Sequence, residues 1–273
     1  MRLCSSEARA RSSAQHRKLF DAVSASQRKP EQAARPNSLA AHDSLPRYAN
    51  VSTLGLLRAA DYIGTISFAH SGAMLAAAAG MDLLGTALVG TITAVGGGTI
   101  RDAVILAKRP FWTEEVEYLY LCLLTAATTF VLYSRNPPDQ QREESALEFA
   151  SDTVGVAAFC VIGAINGVRA RVPALVTTLC GTATATFGGV VRDLLVGREV
   201  RILHSRAEIY ATTAGAGAAM YVVTRAAGGG VLARVAAGTA TAAALRTWAW
   251  LHGVRLPVWP STQRAHDDAT RLE

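Results

Sequence analysis

The chain has no CxxC pair, no HExxH and no nucleophile–base pair. Zinc hydrolysis and covalent catalysis are therefore not expected, nor is any catalytic residue, metal site or cofactor. Cysteine is sparse: Cys4 stands in a polar stretch, while Cys122, Cys160 and Cys180 sit inside apolar runs with no histidine ligand set nearby. They read as small buried hydrophobes rather than a disulfide framework. Charge is also scarce, at 18% of residues. The basic residues form no patch with interleaved aromatics, so nucleic acid is not an expected partner despite a net charge of +6. No GK[ST] follows the glycine triplet at 96–98, and Arg101 stands where a dinucleotide fingerprint needs its third glycine. Nucleotide binding is therefore excluded on motif grounds.

Apolar sequence is abundant. Half of the 273 residues are hydrophobic, and mean hydropathy is +0.22 although the first fifty residues are polar. From Val51 onward, long apolar runs alternate with short charged gaps. A helix needs about 20 residues to cross the hydrocarbon core. Seven spans are predicted, near 59–79, 82–107, 116–134, 152–169, 173–196, 207–224 and 231–251. They are rich in Gly, Ala and Thr, which let helices pack closely in lipid. Trp112, Tyr118, Tyr120, Tyr133, Trp248 and Trp250 lie near span ends, where interfacial aromatics are expected. Flanking arginines and lysines divide evenly between the two sides, so the positive-inside rule selects no orientation.

Residues 1–50 carry many arginines, with Ser and Ala, and no apolar signal-peptide core. Two readings fit: an organelle presequence, mitochondrial or plastid, or a disordered basic tail meeting anionic lipid. The expected placement is an organelle inner membrane in a eukaryote, or the plasma or inner membrane in a bacterium. Residues 258–273 form a polar C-terminal tail.

The apolar region repeats itself. At a spacing of 91 residues (192 − 101), Arg101–Asp102 falls on Arg192–Asp193. Asp61, Gly64, Phe68, Gly72, Gly90, Thr91, Gly97, Gly98 and Glu117 fall on Asp152, Gly155, Phe159, Gly163, Gly181, Thr182, Gly188, Gly189 and Glu208. The repeats occupy 55–135 and 150–225, and a seventh helix at 229–257 lies outside them. Each repeat holds three spans, an odd number, so the second copy enters from the opposite side. The expected class is an all-α integral membrane protein with seven transmembrane helices: two inverted three-helix repeats plus one.

Gly96, Gly97 and Gly98 are expected to break the second span, and Phe187, Gly188 and Gly189 the fifth. A break in lipid persists only where it is buried or lines a wet cavity, and it would point a half-helix N-terminus at a solute. Neighbours i and i+1 on a helix do not face each other. Arg101 is therefore expected to pair with Asp193, and Arg192 with Asp102. Asp61 and Asp152 read as N-caps, His70 as a hydrogen-bonded core residue, and Gly90 and Gly181 as packing contacts.

"GGGTIRD" and "GGVVRD", with "PFWTEEVEYLY" and the terminal "RLP", resemble the glycine transporter domain family. These are small bacterial inner-membrane proteins with two tandem copies of the domain, similar in fold to trimeric intracellular cation channels. The resemblance covers roughly residues 55–257. It implies a homotrimer in membrane lipid, with a pathway for a small solute or monovalent cation in each subunit. Glycine and potassium are the two candidates, and a non-transporting structural protein is the rival outside transport. The implied pathway residues are Gly96, Gly97, Gly98, Arg101, Asp102, Gly188, Gly189, Arg192 and Asp193. Phe187 departs from the pattern by replacing the first glycine of the second motif. The fifth helix is then expected to kink less, or the ring to narrow the pathway.

Overall fold

A computed structural model describes residues 45–135, 146–203 and 209–257. The basic tail up to residue 44 and the polar tail from 258 fall outside the described residues. Those residues form seven α-helices: α1 (Thr53–Ala78), α2 (Leu83–Ile100), α3 (Glu117–Arg135), α4 (Ala146–Arg169), α5 (Ala174–Val196), α6 (Ala211–Ala226) and α7 (Val231–His252). A π-helical turn, Arg101–Ile105, continues α2. Four segments are long and apolar enough to cross a membrane: Leu83–Ile105, Glu117–Ser134, Phe149–Arg169 and Ala174–Val196.

Helix ends follow local chemistry. The Ser52 hydroxyl accepts from Gly55 N–H at 3.0 Å and starts α1. The Asp82 carboxylate accepts from Gly85 N–H at 2.8 Å and starts α2. Gly197 (φ 73°) and Gly253 (φ 59°) end α5 and α7 in the left-handed conformation that glycine adopts without a Cβ penalty. Asp61 and Asp152 are not caps. Their helices begin 8 and 6 residues earlier, in flanks less apolar than the runs that marked the spans.

Large apolar side chains cover the outside of the bundle, and threonine hydroxyls are held inside it. Leu84, Leu124, Leu132, Leu175 and Leu251 are exposed, as suits lipid contact. Inside, Thr93, Thr125, Thr129, Thr182, Thr184 and Thr186 return their hydroxyls to the carbonyl four residues back. This satisfies the hydroxyls without a partner helix. The central helix is α4, buried from Val156 through Ile162. His70 Nδ1 lies 2.9 Å from Thr129 Oγ1, so it is a bonded interior residue. Cys122, Cys160 and Cys180 are free and buried. Maleimide should leave all three unlabelled in the folded protein and label them after denaturation, as mass spectrometry would read.

Glycines mark where the helices touch. A Cβ on Gly64 would overlap the Gly155 Cα, and Phe68 meets Phe159 edge to face at 5.1 Å. Both pairs are repeat equivalents, the relation expected of residues lying on a two-fold axis. Off that axis the contacts are duplicated: Gly72 packs on Gly90 and Thr93, and Gly163 on Gly181 and Thr184. Gly90 also meets the Ala69 carbonyl, and Gly181 that of its equivalent, Cys160. Both are packing glycines, as expected.

Not every aromatic near a span end is interfacial. Tyr120 and Trp248 are exposed, but Tyr118 is buried within the bundle.

Candidate functional site

The two glycine motifs meet where α2 crosses α5. A Cβ on Gly97 would strike the Thr184 carbonyl oxygen, and one on Gly188 the Thr93 carbonyl oxygen. The contacts are reciprocal, and neither glycine breaks its helix. α2 stays α-helical through Gly96, Gly97 and Gly98, and α5 through Gly188 and Gly189. The expected breaks are therefore corrected: Gly97 and Gly188 serve close approach of two backbones, within helices that stay α-helical through them. Gly98 is covered by the Phe111 ring, 2.6 Å from where its Cβ would stand. Gly96 and Gly189 have only ordinary contact distances around them. The departure from α geometry comes later, as the π turn at the Arg–Asp motif.

There the Arg101 guanidinium clasps Asp102 with two bonds, Nε to Oδ1 at 2.7 Å and Nη2 to Oδ2 at 2.9 Å. Both side chains are buried. Asp102 also accepts from Phe111 N–H at 3.0 Å and lies 3.2 Å from Lys108 Nζ. The chain after α2 is thereby folded back over the helix end, where Trp112 Nε1 donates to Thr99 at 2.9 Å. In α5, Arg192 Nε donates to Asp193 at 2.8 Å and Nη1 to Ser71 at 3.1 Å.

Each arginine thus pairs with its own neighbour, and the expected cross pairs, Arg101 with Asp193 and Arg192 with Asp102, do not form. The two close approaches set an antiparallel register, with Arg101 level with Cys180 and Asp193 level with Leu88. Asp193 is 13 residues beyond Cys180, or ~20 Å at about 1.5 Å per residue. The i, i+1 rule describes Cβ directions. A long arginine stem reaches around the turn to a short carboxylate, and two buried opposite charges favour the nearest pairing.

Beside Arg101 lies a cavity of about 140 Å³, lined by side chains of α1 to α5, including Arg58, Asp61, Thr65, Arg101, Tyr118 and Thr184. Arg58 is fully engaged along one edge. Its Nη1 and Nη2 donate to Glu115 at 2.6 and 2.9 Å, its Nε to the Pro46 carbonyl at 2.9 Å, and Nη1 also to the Tyr118 hydroxyl at 2.6 Å. The Tyr118 hydroxyl donates onward to Asp61 Oδ2. Of the glycine-motif residues, only Gly98 and Arg101 line this cavity. Arg192 and Asp193 stand at the other end of the α2–α5 crossing. Among the described residues no group of three His, Cys, Asp or Glu is placed to hold a metal ion.

The sequence model of the family described as glycine transporter matches residues 58–134 and again 149–226. The chain belongs to the glycine transporter family. Its relatives are membrane proteins. A UPF0126 membrane protein of Deinococcus radiodurans is 34% identical over 158 residues, 58% of this chain and 71% of the relative. The UPF0126 inner membrane protein YadS of Escherichia coli is 38% identical over 152 residues, 56% of this chain and 70% of the relative. Among solved structures, the trimeric intracellular cation (TRIC) channel orthologue from Rhodobacter sphaeroides is 37% identical, with a TM-score of 0.64, covering 73% of this chain and 99% of that one. A TRIC cation channel solved to explain conductance is 30% identical, with a TM-score of 0.67 and coverage of 74% and 96%. This glycine transporter family member therefore has the TRIC channel fold.

Sequence reasoning missed Arg58, Glu115, Tyr118 and Thr184 as parts of the site. A signal existed for two of them: Glu115 and Tyr118 belong to the family-like stretch "PFWTEEVEYLY". Arg58 stands out only as one of the charges flanking the spans, and Thr184 only as one small residue among many.

Proposed function

We propose that this protein passes a monovalent cation across the inner membrane. The pathway runs through the Arg101 cavity and alongside the α2–α5 crossing, one per protomer of a homotrimer. The observation that carries this reading is the occupancy of the cavity guanidiniums. Arg101 clasps Asp102 and Arg58 clasps Glu115, each with two bonds. A zwitterion such as glycine would need a free guanidinium or a broken helix end for its carboxylate. Arg58 and Arg101 are taken, Arg169 of the same lining has a partner as well, and the continuous α2 and α5 expose no helix end. A cation needs only oxygens and a neutralised wall. The structural neighbours, which are TRIC cation channels, favour the same reading. In this scheme the halves are related by a two-fold axis in the membrane plane. Gly96, Gly97, Gly98, Gly188 and Gly189 form the crossing that the cation passes, and the Arg101–Asp102 and Arg192–Asp193 pairs set the charge at its ends.

The test is flux. The full chain in liposomes should carry potassium and show no saturable glycine uptake, measured in parallel with protein-free liposomes. Arg101→Leu combined with Asp102→Leu removes both buried charges together, so that neither is left facing the interior unpaired. It should fold and lose most of the flux. Saturable glycine uptake without potassium flux would replace the cation reading with that of a carrier. Neither activity from folded protein would favour a structural role.

A further inference from the structure

We infer that Asp61 is a binding site for a monovalent cation within the cavity, and the residue that makes the cavity attract cations. The inference rests on the cation reading above and names the residue behind it.

Asp61 lies in the interior of α1, is 8% exposed and lines the cavity. One carboxylate oxygen accepts from the Tyr118 hydroxyl; among the described residues no donor reaches the other. Three guanidiniums line the cavity with it, and among the described residues none forms an ion pair with Asp61: Arg58 is held by Glu115, Arg101 by Asp102, and Arg169 has a partner of its own. A carboxylate inside a membrane helix with only a phenol as partner is costly, and a cation in the cavity removes that cost.

The repeat supplies an internal comparison. Asp152, the equivalent of Asp61, forms an ion pair with Arg246. That guanidinium is buried under the Tyr210 and Phe149 rings, 4.4 and 5.1 Å from their centroids. Arg246 belongs to α7, which has no counterpart in the first repeat. One carboxylate of the symmetric pair thus receives a fixed cation from the protein, and the other faces a cavity.

The chemistry of the site selects the charge of the ion. Asp61 and Thr65, one turn apart on α1, offer a carboxylate and a hydroxyl to the same space. Divalent cations are held by several oxygen ligands, commonly more than one carboxylate. The other carboxylate of the lining, Glu115, is taken by Arg58, and the one that remains, with neutral oxygens, suits one positive charge.

The experiment titrates the thermal unfolding midpoint of the full chain in detergent with KCl, against N-methylglucamine chloride at constant ionic strength. Binding to the native state raises the midpoint as the site fills. The wild type should show a saturable potassium-specific rise. Asp61→Asn should lose it, Asp61→Glu and Asp152→Asn should keep it, and Thr65→Val should shift half-saturation upward several-fold. Three results would overturn the inference: no potassium-specific rise in the wild type, a full rise in Asp61→Asn, or loss in Asp152→Asn. Potassium flux recorded alongside separates the two readings. Stabilisation without flux leaves the site standing and removes transport; flux without stabilisation does the reverse.

Discussion

Gly188→Val and Gly97→Val should each prevent normal assembly of the helix bundle, whereas Gly96→Ala and Gly189→Ala should be tolerated. At Gly188 the added Cβ falls on the Thr93 carbonyl oxygen. At Gly97 it falls on that of Thr184, with the Ala183 oxygen 2.7 Å away. The obstacle is backbone in every case, so no side chain can turn aside. Overpacking a tight contact costs about 1–3 kcal/mol and more when backbone must move. Valine adds two methyl groups to a position that cannot hold one. At Gly96 the nearest atoms are 3.5 and 3.7 Å from the new Cβ, and at Gly189 the nearest is 3.8 Å away. Those are ordinary van der Waals distances. Size-exclusion profiles and thermal midpoints in detergent would check the contrast. Equal behaviour of all four variants would mean that the crossing is looser than its backbone contacts indicate.

Asp102→Asn should be among the most destabilising isosteric changes in the chain. The buried Arg101 guanidinium keeps its charge and loses the carboxylate that clasps it. Breaking a buried pair from one side costs about 3–5 kcal/mol, because the remaining ion is left uncompensated. The Phe111 N–H and the Lys108 ammonium would lose a charged acceptor too, so the segment that covers Gly98 should loosen. The Arg101→Leu, Asp102→Leu double variant removes both ions and should recover much of the stability. Thermal midpoints of the three proteins decide the matter. A single variant as stable as the double would show that the pair contributes nothing.

Several features were legible in the chain itself. Helix positions followed from apolar run length, since a membrane-crossing helix needs a minimum apolar stretch whatever its neighbours are. The duplication followed from matches at one spacing, and the contacts Gly64–Gly155 and Phe68–Phe159 are the physical counterpart of that spacing. The packing roles of Gly90 and Gly181 were readable because small residues inside apolar runs have few other uses.

The glycine triplet was misread for an identifiable reason. Glycine both weakens a helix and permits close approach. A sequence does not show whether a second backbone stands nearby; here Thr184 does, and the helix holds. The cross pairing of Arg101 with Asp193 failed on geometry already implied by an odd-numbered repeat. Antiparallel helices that cross before their motifs carry those motifs to opposite ends.

The sequence by itself determined the class, the seven helices, the internal duplication and the family. These depend on composition and on periodic matches along one chain. Tertiary structure alone decided which charges are neutralised and by what. Arg58 is closed by Glu115 across 57 residues, Asp152 by Arg246 across 94, and Asp61 faces a cavity. Burial turns such pairings into large energies, and burial is a property of the packed bundle. Two aspartates in equivalent repeat positions therefore acquired different partners, because only one of them lies against α7.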